Sequence, residues 1–353
     1  MVVMPLRLVW KSCLRNRIGF VFRDMKRQIY FCSLLVSLLN CFACGSLDDY
    51  DNQDTNWTWV NTGKKELSHE IVVHNEIFGT GNTLRYNQSM CIYDDKAFCF
   101  NEKDECLILD INTGEWFMSE ELPIKSHQNN AQFVNSYFKS EDKYPMLLLS
   151  RGDCQNCYND VYLVRVNEIK SHFSFSVVKT IHNTIDESKY GGCWVMDEEN
   201  QRLYLYCMTL GDWRITEDNN KFCIFSFSLP DIHNSDDVFL GYEDVLERWE
   251  YSYLIHQGGT YYNGYLFFNV ESMRSYEGQN IATTKDVIAI NTRNGHIDAI
   301  MPLRDRKEAE GICVYKNKLY VSFKNGISEQ SPSSIVFSLK EYTLPLTISQ
   351  EII

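Results

Sequence analysis

Short apolar runs separated by polar turns recur along most of this chain, and three of them are one pattern written three times. They read Gln88-Ser-Met-Cys-Ile-Tyr-Asp-Asp-Lys-Ala-Phe, Gln257-Gly-Gly-Thr-Tyr-Tyr-Asn-Gly-Tyr-Leu-Phe and Glu310-Gly-Ile-Cys-Val-Tyr-Lys-Asn-Lys-Leu-Tyr. Each has a polar residue, a strand-like run to an aligned tyrosine (Tyr93, Tyr262, Tyr315), a two-residue turn and a second strand. A looser copy runs from Gly191 to Met196 and resumes at Leu203–Tyr206. A weaker one joins Asn130–Val134 to Pro145–Ser150. Recurrence at tens of residues signals a repeat architecture, and a repeat built of hairpins points to a β-propeller.

Each inner hairpin is followed by a further strand pair. Leu107–Ile111 and Glu115–Met118 flank Asn112-Thr-Gly, and Asp286–Ile290 and His296–Met301 flank Asn294-Gly, a strong hairpin signal. Val161–Val166 with Phe173–Ile181, and Phe222–Leu229 with Val238–Tyr242, give two more pairs. Ser334–Leu339 gives one strand with little clear strand after it. The pattern predicts an all-β fold, a single propeller of five four-stranded blades. His69–Phe78, which has no partner of its own, supplies the outer strand of the last blade and hides its edge. Thr347–Ile352 is a rival for that place, and a β-sandwich is the alternative fold. The single good helical candidate is Glu243–Trp249, a connector between blades three and four.

The first 44 residues differ in kind. After Met25, a natural start, come Lys26 and Arg27, the apolar stretch Ile29–Leu39, then Cys41-Phe-Ala-Cys44-Gly-Ser46. That is a secretory signal, too short to span a bilayer as a helix. Ala43-Cys44-Gly45 resembles a bacterial lipobox with Cys44 as the lipidated residue; Cys41 and plain cleavage are the alternatives. The acidic stretch after Cys44 resembles the export signal of surface lipoproteins in Bacteroides-type bacteria. The domains expected are a signal region 1–44, a flexible tether 45–65 and a propeller 66–353. The location expected is the cell envelope, with the membrane reached through the lipid anchor only.

The chain carries a formal net charge of −13. Removing residues 1–44 takes away seven basic residues and one acidic one and leaves −19. That sign argues against nucleic acid as a partner. Nine cysteines remain. Cys99 and Cys106 flank a turn and read as facing one another. Cys154-Gln-Asn-Cys157 reads as a local disulfide, a pair of thiols or half a metal site. Cys91, Cys193, Cys207, Cys223 and Cys313 lie in apolar runs and read as core.

In a propeller, the loops leading into the inner strands open around the axis at one end, as do the loops between second and third strands. They bring together Arg85, Gln88, His127, Asn130, His256, Gln257, Glu308 and Glu310, with Trp213 and Tyr276 from the long loops. Those ten residues are the candidate ligand-binding set. The same polar groups could instead lock neighbouring blades together. His127 and His256 are candidate general bases, or with Glu310 a two-histidine, one-carboxylate set. No second CxxC or zinc-spaced His pair follows Cys154-Gln-Asn-Cys157, and no GxSxG, HExxH, P-loop or GxGxxG occurs; neither a metal nor a cofactor is expected. The carboxylates Glu308 and Glu310 come from one blade, whereas a propeller glycosidase needs two on opposite sides of the scissile bond.

The inner repeats, the His-x-Asn-x-Ala-Gln stretch at His127–Gln132 and the Glu-x-Glu-Gly-Ile stretch at Glu308–Ile312 together resemble secreted bacterial five-bladed propeller lipoproteins of Bacteroides type. The resemblance spans about residues 66–340. It implies the fold, and no catalytic residue is carried over from it. The expected partner is an extracellular glycan or another polar ligand. A polysaccharide-acting lyase or hydrolase and a protein-interaction scaffold are the alternatives.

Overall fold

Four tight turns hold two consecutive residues at positive φ: Asp94–Asp95 (49° and 57°), Lys170–Ser171 (52° and 64°), Asn263–Gly264 (48° and 80°) and Lys316–Asn317 (49° and 61°). This is the two-residue hairpin geometry whose twist matches that of the strands it joins. The computed structural model describes residues 69–74, 88–100, 105–124, 127–152, 159–188, 190–209, 221–234, 236–252, 255–274, 282–303, 308–324 and 335–344, all within the unit Ser46–Ile353.

Their strands form five antiparallel sheets. Blade one is β2 (Ser89–Tyr93), β3 (Lys96–Phe100), β4 (Cys106–Asp110) and β5 (Trp116–Met118). Blade two is β6 (Gln128–Phe133), β7 (Leu147–Arg151), β8 (Val161–Ile169) and β9 (His172–Asn183). Blade three is β10 (Tyr190–Asp197), β11 (Arg202–Met208), β12 (Lys221–Ser228) and β14 (Val245–Ser252). Blade four is β15 (Ile255–Tyr262), β16 (Tyr265–Arg274), β17 (Ala282–Asn291) and β18 (Ile297–Pro302). Blade five is β19 (Glu308–Tyr315), β20 (Lys318–Lys324) and β21 (Ile335–Thr343), completed by β1 (His69–His74). The inner strands touch in the cyclic order β2, β6, β10, β15, β19 and back to β2. The chain is a five-bladed β-propeller.

The core is five apolar layers, one between each pair of neighbouring blades. Successive side chains of a strand enter opposite layers. Leu147 and Leu149 face blade one, while Leu148 between them faces blade three. Both faces of a blade are therefore buried, which is why its middle strands read as unbroken apolar runs. Trp194 is fully buried in the layer between blades two and three, as its place in a strand run implied.

Ring closure follows the expected route. β1 pairs antiparallel with β21, His69 opposite Glu341 and Val73 opposite Phe337. Residues 75–78 and the rival 347–352 lie outside the described residues, as does Cys154–Cys157.

Three expectations are corrected. Glu243–Trp249 is not a helix: a short 3-10 turn at Tyr242–Asp244 leads into β14. Trp249 and Tyr251, two apart, both face blade four, and the acids around them hid that alternation. Val238–Tyr242 is not the outer strand of blade three. Its core is β13 (Val238–Leu240), which runs parallel to the end of β9 and adds a fifth strand to blade two. Lys179 anchors this return by donating to the Asn234 and Asp236 carbonyls at 3.0 and 2.6 Å. Finally, Cys99 lies opposite Leu107 and Cys106 opposite Phe100. A register one residue away from the expected one sends the two thiols to opposite faces, Cys99 toward blade five and Cys106 toward blade two.

The end of the ring carrying the tight turns is clasped all the way round. Tyr93 Oη meets Tyr137 Oη at 2.7 Å, joining blades one and two. Ser136 Oγ donates to Glu198 at 2.6 Å, joining two and three. Asn200 Nδ2 donates to Tyr261 Oη at 3.0 Å, joining three and four. Tyr262 Oη donates to Asn317 at 2.5 Å, joining four and five, and Tyr315 Oη donates to Asp95 at 3.0 Å, joining five and one. The three aligned tyrosines of the repeat are thus clasps between blades.

Deleting residues 69–74 strips β21 of its partner and leaves an open edge. The truncated chain is expected to melt well below the parent or to aggregate, while deletion of residues 45–60 is expected to change melting little. Equal tolerance of both deletions in a thermal melt would count against closure through β1.

Candidate functional site

Each inner strand from blade two to blade five carries a β-bulge near its start, at the same place in the repeat. The ladder shifts between Gln128 and Asn130, between Tyr190 and Cys193, between His256 and Gly258, and between Ala309 and Gly311. The extra residues are Asn129, Gly191–Gly192, Gln257 and Glu310. Gln88 holds the corresponding place in blade one, its N–H bonded to the Phe100 carbonyl at 2.9 Å. A bulge re-aims a side chain and bends the strand. Four sequence-predicted residues, Gln88, Gln257, Glu310 and His256, therefore stand where inner strands begin, at one end of the propeller. The long connections from Arg151 to Val161, Met208 to Lys221, Arg274 to Ala282 and Lys324 to Ile335 leave from this same end.

Asn130 sits one place further on, level with Gly258 and Gly311. Its amide is fully engaged: Nδ2 donates to the Trp194 carbonyl at 2.9 Å and the Gly259 carbonyl at 2.8 Å, and Oδ1 accepts from Gly259 N–H at 3.0 Å. One side chain thus ties blade two to blades three and four. Neighbours extend the lock. Gln132 brackets the Met196 N–H and carbonyl at 2.9 and 2.8 Å, Ser150 Oγ accepts from Trp194 N–H at 2.9 Å, and Asn159 Oδ1 accepts from Gly192 N–H at 3.0 Å. Asn129, Gln132, Ser150 and Asn159 stand outside the ten-residue candidate set, although the sequence places them at or beside this end of the repeat. The signal was there in Asn130-x-Gln132, two amides on one face of an inner strand, beside a neighbouring strand whose edge needs partners.

Blade five meets both blade four and blade one more closely. A Cβ on Gly258 would lie 2.6 Å from the Glu310 carbonyl, and one on Gly311 would lie 2.6 Å from the Met90 nitrogen. Glycine at these places lets neighbouring backbones touch. Glu310 is buried, the only acid among the bulge residues. His256 lies between blades three and four, its ring 4.6 Å from that of Tyr206 and bonded to the Gly191 backbone. Nδ1 of His256 has no protein partner, nor do Ser89 Oγ and both amide atoms of Asn269, all buried. These groups surround the starts of the inner strands.

His127 precedes β6, half-buried, with its carbonyl accepting from Gly152 N–H at 3.0 Å. Glu308 opens β19. Arg85, Trp213, Tyr276 and Cys44 lie outside the described residues. No three His, Cys, Asp or Glu side chains among the described residues are grouped to hold a metal ion, so His127, His256 and Glu310 do not form a three-ligand site. Among the described residues no helix is long and apolar enough to cross a membrane.

No family model matches the chain, and no curated protein matches it. Solved structures similar to it include a GH43 endo-arabinanase from Bacillus licheniformis, 11% identical with a TM-score of 0.42, covering 74% of this chain and 95% of that one. An α-L-arabinofuranosidase from Fusarium graminearum is 10% identical, TM-score 0.42, covering 79% and 98%. The glutaminyl cyclase of Myxococcus xanthus is 9% identical, TM-score 0.41, covering 78% and 96%. Likeness this distant says nothing about activity.

Two outcomes follow from this geometry. Asn130→Leu strands the Trp194 and Gly259 backbone groups and is expected to cost about 1–3 kcal/mol per unsatisfied group, read as a fall in melting temperature. Burial lowers the His256 pKa from 6.5 to about 4. A histidine held neutral in the fold contributes stability that is complete above 6.5. It is lost as pH falls from 6.5 toward 4, because the unfolded chain takes up the proton first. The slope in that window is at most about 1.4 kcal/mol per pH unit. His256→Gln is expected to flatten the acid side of the melting-temperature profile, and an unaltered profile would remove His256 as its source.

Proposed function

We propose that this chain is an exported, envelope-anchored propeller that binds a carbohydrate or a similar neutral, hydroxyl-rich ligand where its inner strands begin. The observation that carries this reading is the hydrogen-bonding capacity left at that end. Buried polar groups are almost always paired, yet His256 Nδ1, Ser89 Oγ and the Asn269 amide have no protein partner. They are two acceptor–donor groups and one lone pair on a neutral ring, none of them a fixed charge. Such a set suits hydroxyls, which both donate and accept. The acidic chain disfavours polyanions. Export and anchoring through Cys44 rest on the signal-like leader. Anchoring is tested by Cys44→Ser, which should abolish palmitate labelling and membrane partitioning; unchanged labelling would move the anchor to Cys41 or elsewhere.

One observation favours a second reading, a polysaccharide-acting enzyme at the same mouth. Glu310 is a buried carboxyl placed by a bulge, the kind of group a glycosidase uses as general acid. A hydrolase needs a second carboxyl about 5–10 Å away.

The test is a glycan array on the mature domain with product analysis of every hit. Glu310→Gln is expected to weaken binding of a hit by about 1–3 kcal/mol through loss of one charge-assisted hydrogen bond, with a smaller change in melting. Unchanged affinity with a lower melting temperature would retire the mouth in favour of the long loops. A cleaved hit, with cleavage lost in the same variant, would establish the enzyme.

A further inference from the structure

Cys207 in β11 and Cys223 in β12 stand directly opposite each other in the antiparallel ladder. The bond from Leu229 N–H to the Gln201 carbonyl joins two residues opposed in the same register. Counting along the ladder in steps of two makes Cys207–Cys223 a hydrogen-bonded pair, with Cα atoms about 5.5 Å apart. Disulfides span roughly 4.4–6.8 Å between Cα atoms and about 3.5–4.5 Å between Cβ atoms; the two sulfurs are not joined in this structure, and joining them draws the Cβ atoms in from the roughly 5.5 Å spacing of a hydrogen-bonded pair. Opposed residues project from one face, and both thiols enter the layer between blades two and three, fully buried. Cys207 Sγ already reaches across the ladder, 3.7 Å from the Cys223 carbonyl. The other described cysteines have no such partner. Cys91 opposes Phe98, Cys99 opposes Leu107, Cys106 opposes Phe100, Cys193 opposes Tyr206 and Cys313 opposes Tyr320.

We infer that Cys207 and Cys223 are joined by a disulfide that staples β11 to β12, formed while the chain folds in contact with an oxidised protein dithiol. One thiolate of the pair attacks the carrier's disulfide, giving a mixed disulfide and one carrier thiolate. The second thiolate attacks the mixed disulfide, closes the Cys207–Cys223 bond and releases the other carrier thiolate. The pair loses two electrons and two protons, and the carrier is reduced to its dithiol. Burial pushes the Cys207 thiol well above its ordinary value, so attacking thiolate is scarce once the layer has closed. Oxidation therefore belongs to folding, and the finished bond is shielded from reductants. The inference needs an oxidising compartment, which export would supply, and is independent of any ligand at the mouth.

The full chain is expressed with its own leader, and intact cells are treated with N-ethylmaleimide before lysis in denaturant. Digestion without reduction is expected to yield a Cys207 peptide bonded to a Cys223 peptide, lighter by two hydrogen atoms than the sum of the reduced peptides. Maleimide on both residues, or a bond from either one to another cysteine, overturns the inference. A second measurement covers poor folding of single variants. Refolding the purified parent with a thiol reductant is expected to lower its melting temperature, and the Cys207→Ala/Cys223→Ala double variant is expected to show no such response. An equal response in both proteins also overturns it.

Discussion

A propeller's innermost strands present backbone N–H and carbonyl groups to the axis with no further strand to pair them. Orphaned groups of this kind are costly when buried, and the rest of the molecule depends on their being satisfied. Side chains do this here. Asn130 takes up the edge groups of Trp194 and Gly259, Gln132 those of Met196, and Ser150 the Trp194 N–H. At blade five the neighbouring backbones approach too closely for a side chain at Gly258 or Gly311. The apolar layers supply most of the favourable free energy, but they do not fix how far each blade slides along its neighbour. The amide bonds and the tyrosine clasps fix that, because each joins named atoms on different blades.

The two ends of the ring follow from this division. One end is held by short turns and by a clasp at every blade boundary, Tyr93–Tyr137 through Tyr315–Asp95. At the other end the inner strands bulge, and long connections leave second strands for third. A rigid end and a loop-rich end is the arrangement by which scaffolds carry binding sites. It also explains why the polar residues at the inner-strand starts do not share one role. Asn130 is a lock, while the bulge places Gln257 and Glu310 one step off the ladder.

Much of the fold was legible in the sequence because hairpins are local. The aligned tyrosines, the Asn-Gly turns and the unpartnered strand at His69–His74 each follow from a few adjacent residues. What was not legible depends on partners far away in the chain. Val238–Leu240 has the composition of an outer strand, and nothing local says that it returns to β9 rather than pairing with β12. The acids at Glu243–Glu250 disguised the alternation that makes β14 a strand. Cys99 and Cys106 were judged by turn symmetry, and a one-residue difference in register reversed the conclusion. The same rule of register exposed Cys207 and Cys223, which composition alone marks as ordinary core.

The candidate site divides along the same line. That polar residues gather at the inner-strand starts was legible, since repeat equivalence brings aligned positions to one axis. Which of them remain available to a ligand was not, because that turns on hydrogen bonds between blades. Asn130 and Asn269 show the difference. Both are buried amides level with the inner-strand starts, one in the inner strand β6 and one in the second strand β16. Asn130 faces an edge at bonding distance and makes three interblade bonds. Asn269 faces the junction where Gly258 lets the Glu310 backbone approach, and neither of its amide atoms finds a protein partner. Backbone approach at Gly258 stands there in place of a side-chain lock such as the one Asn130 makes. In the binding reading proposed above, that junction offers more unmade hydrogen bonds than any single aligned residue.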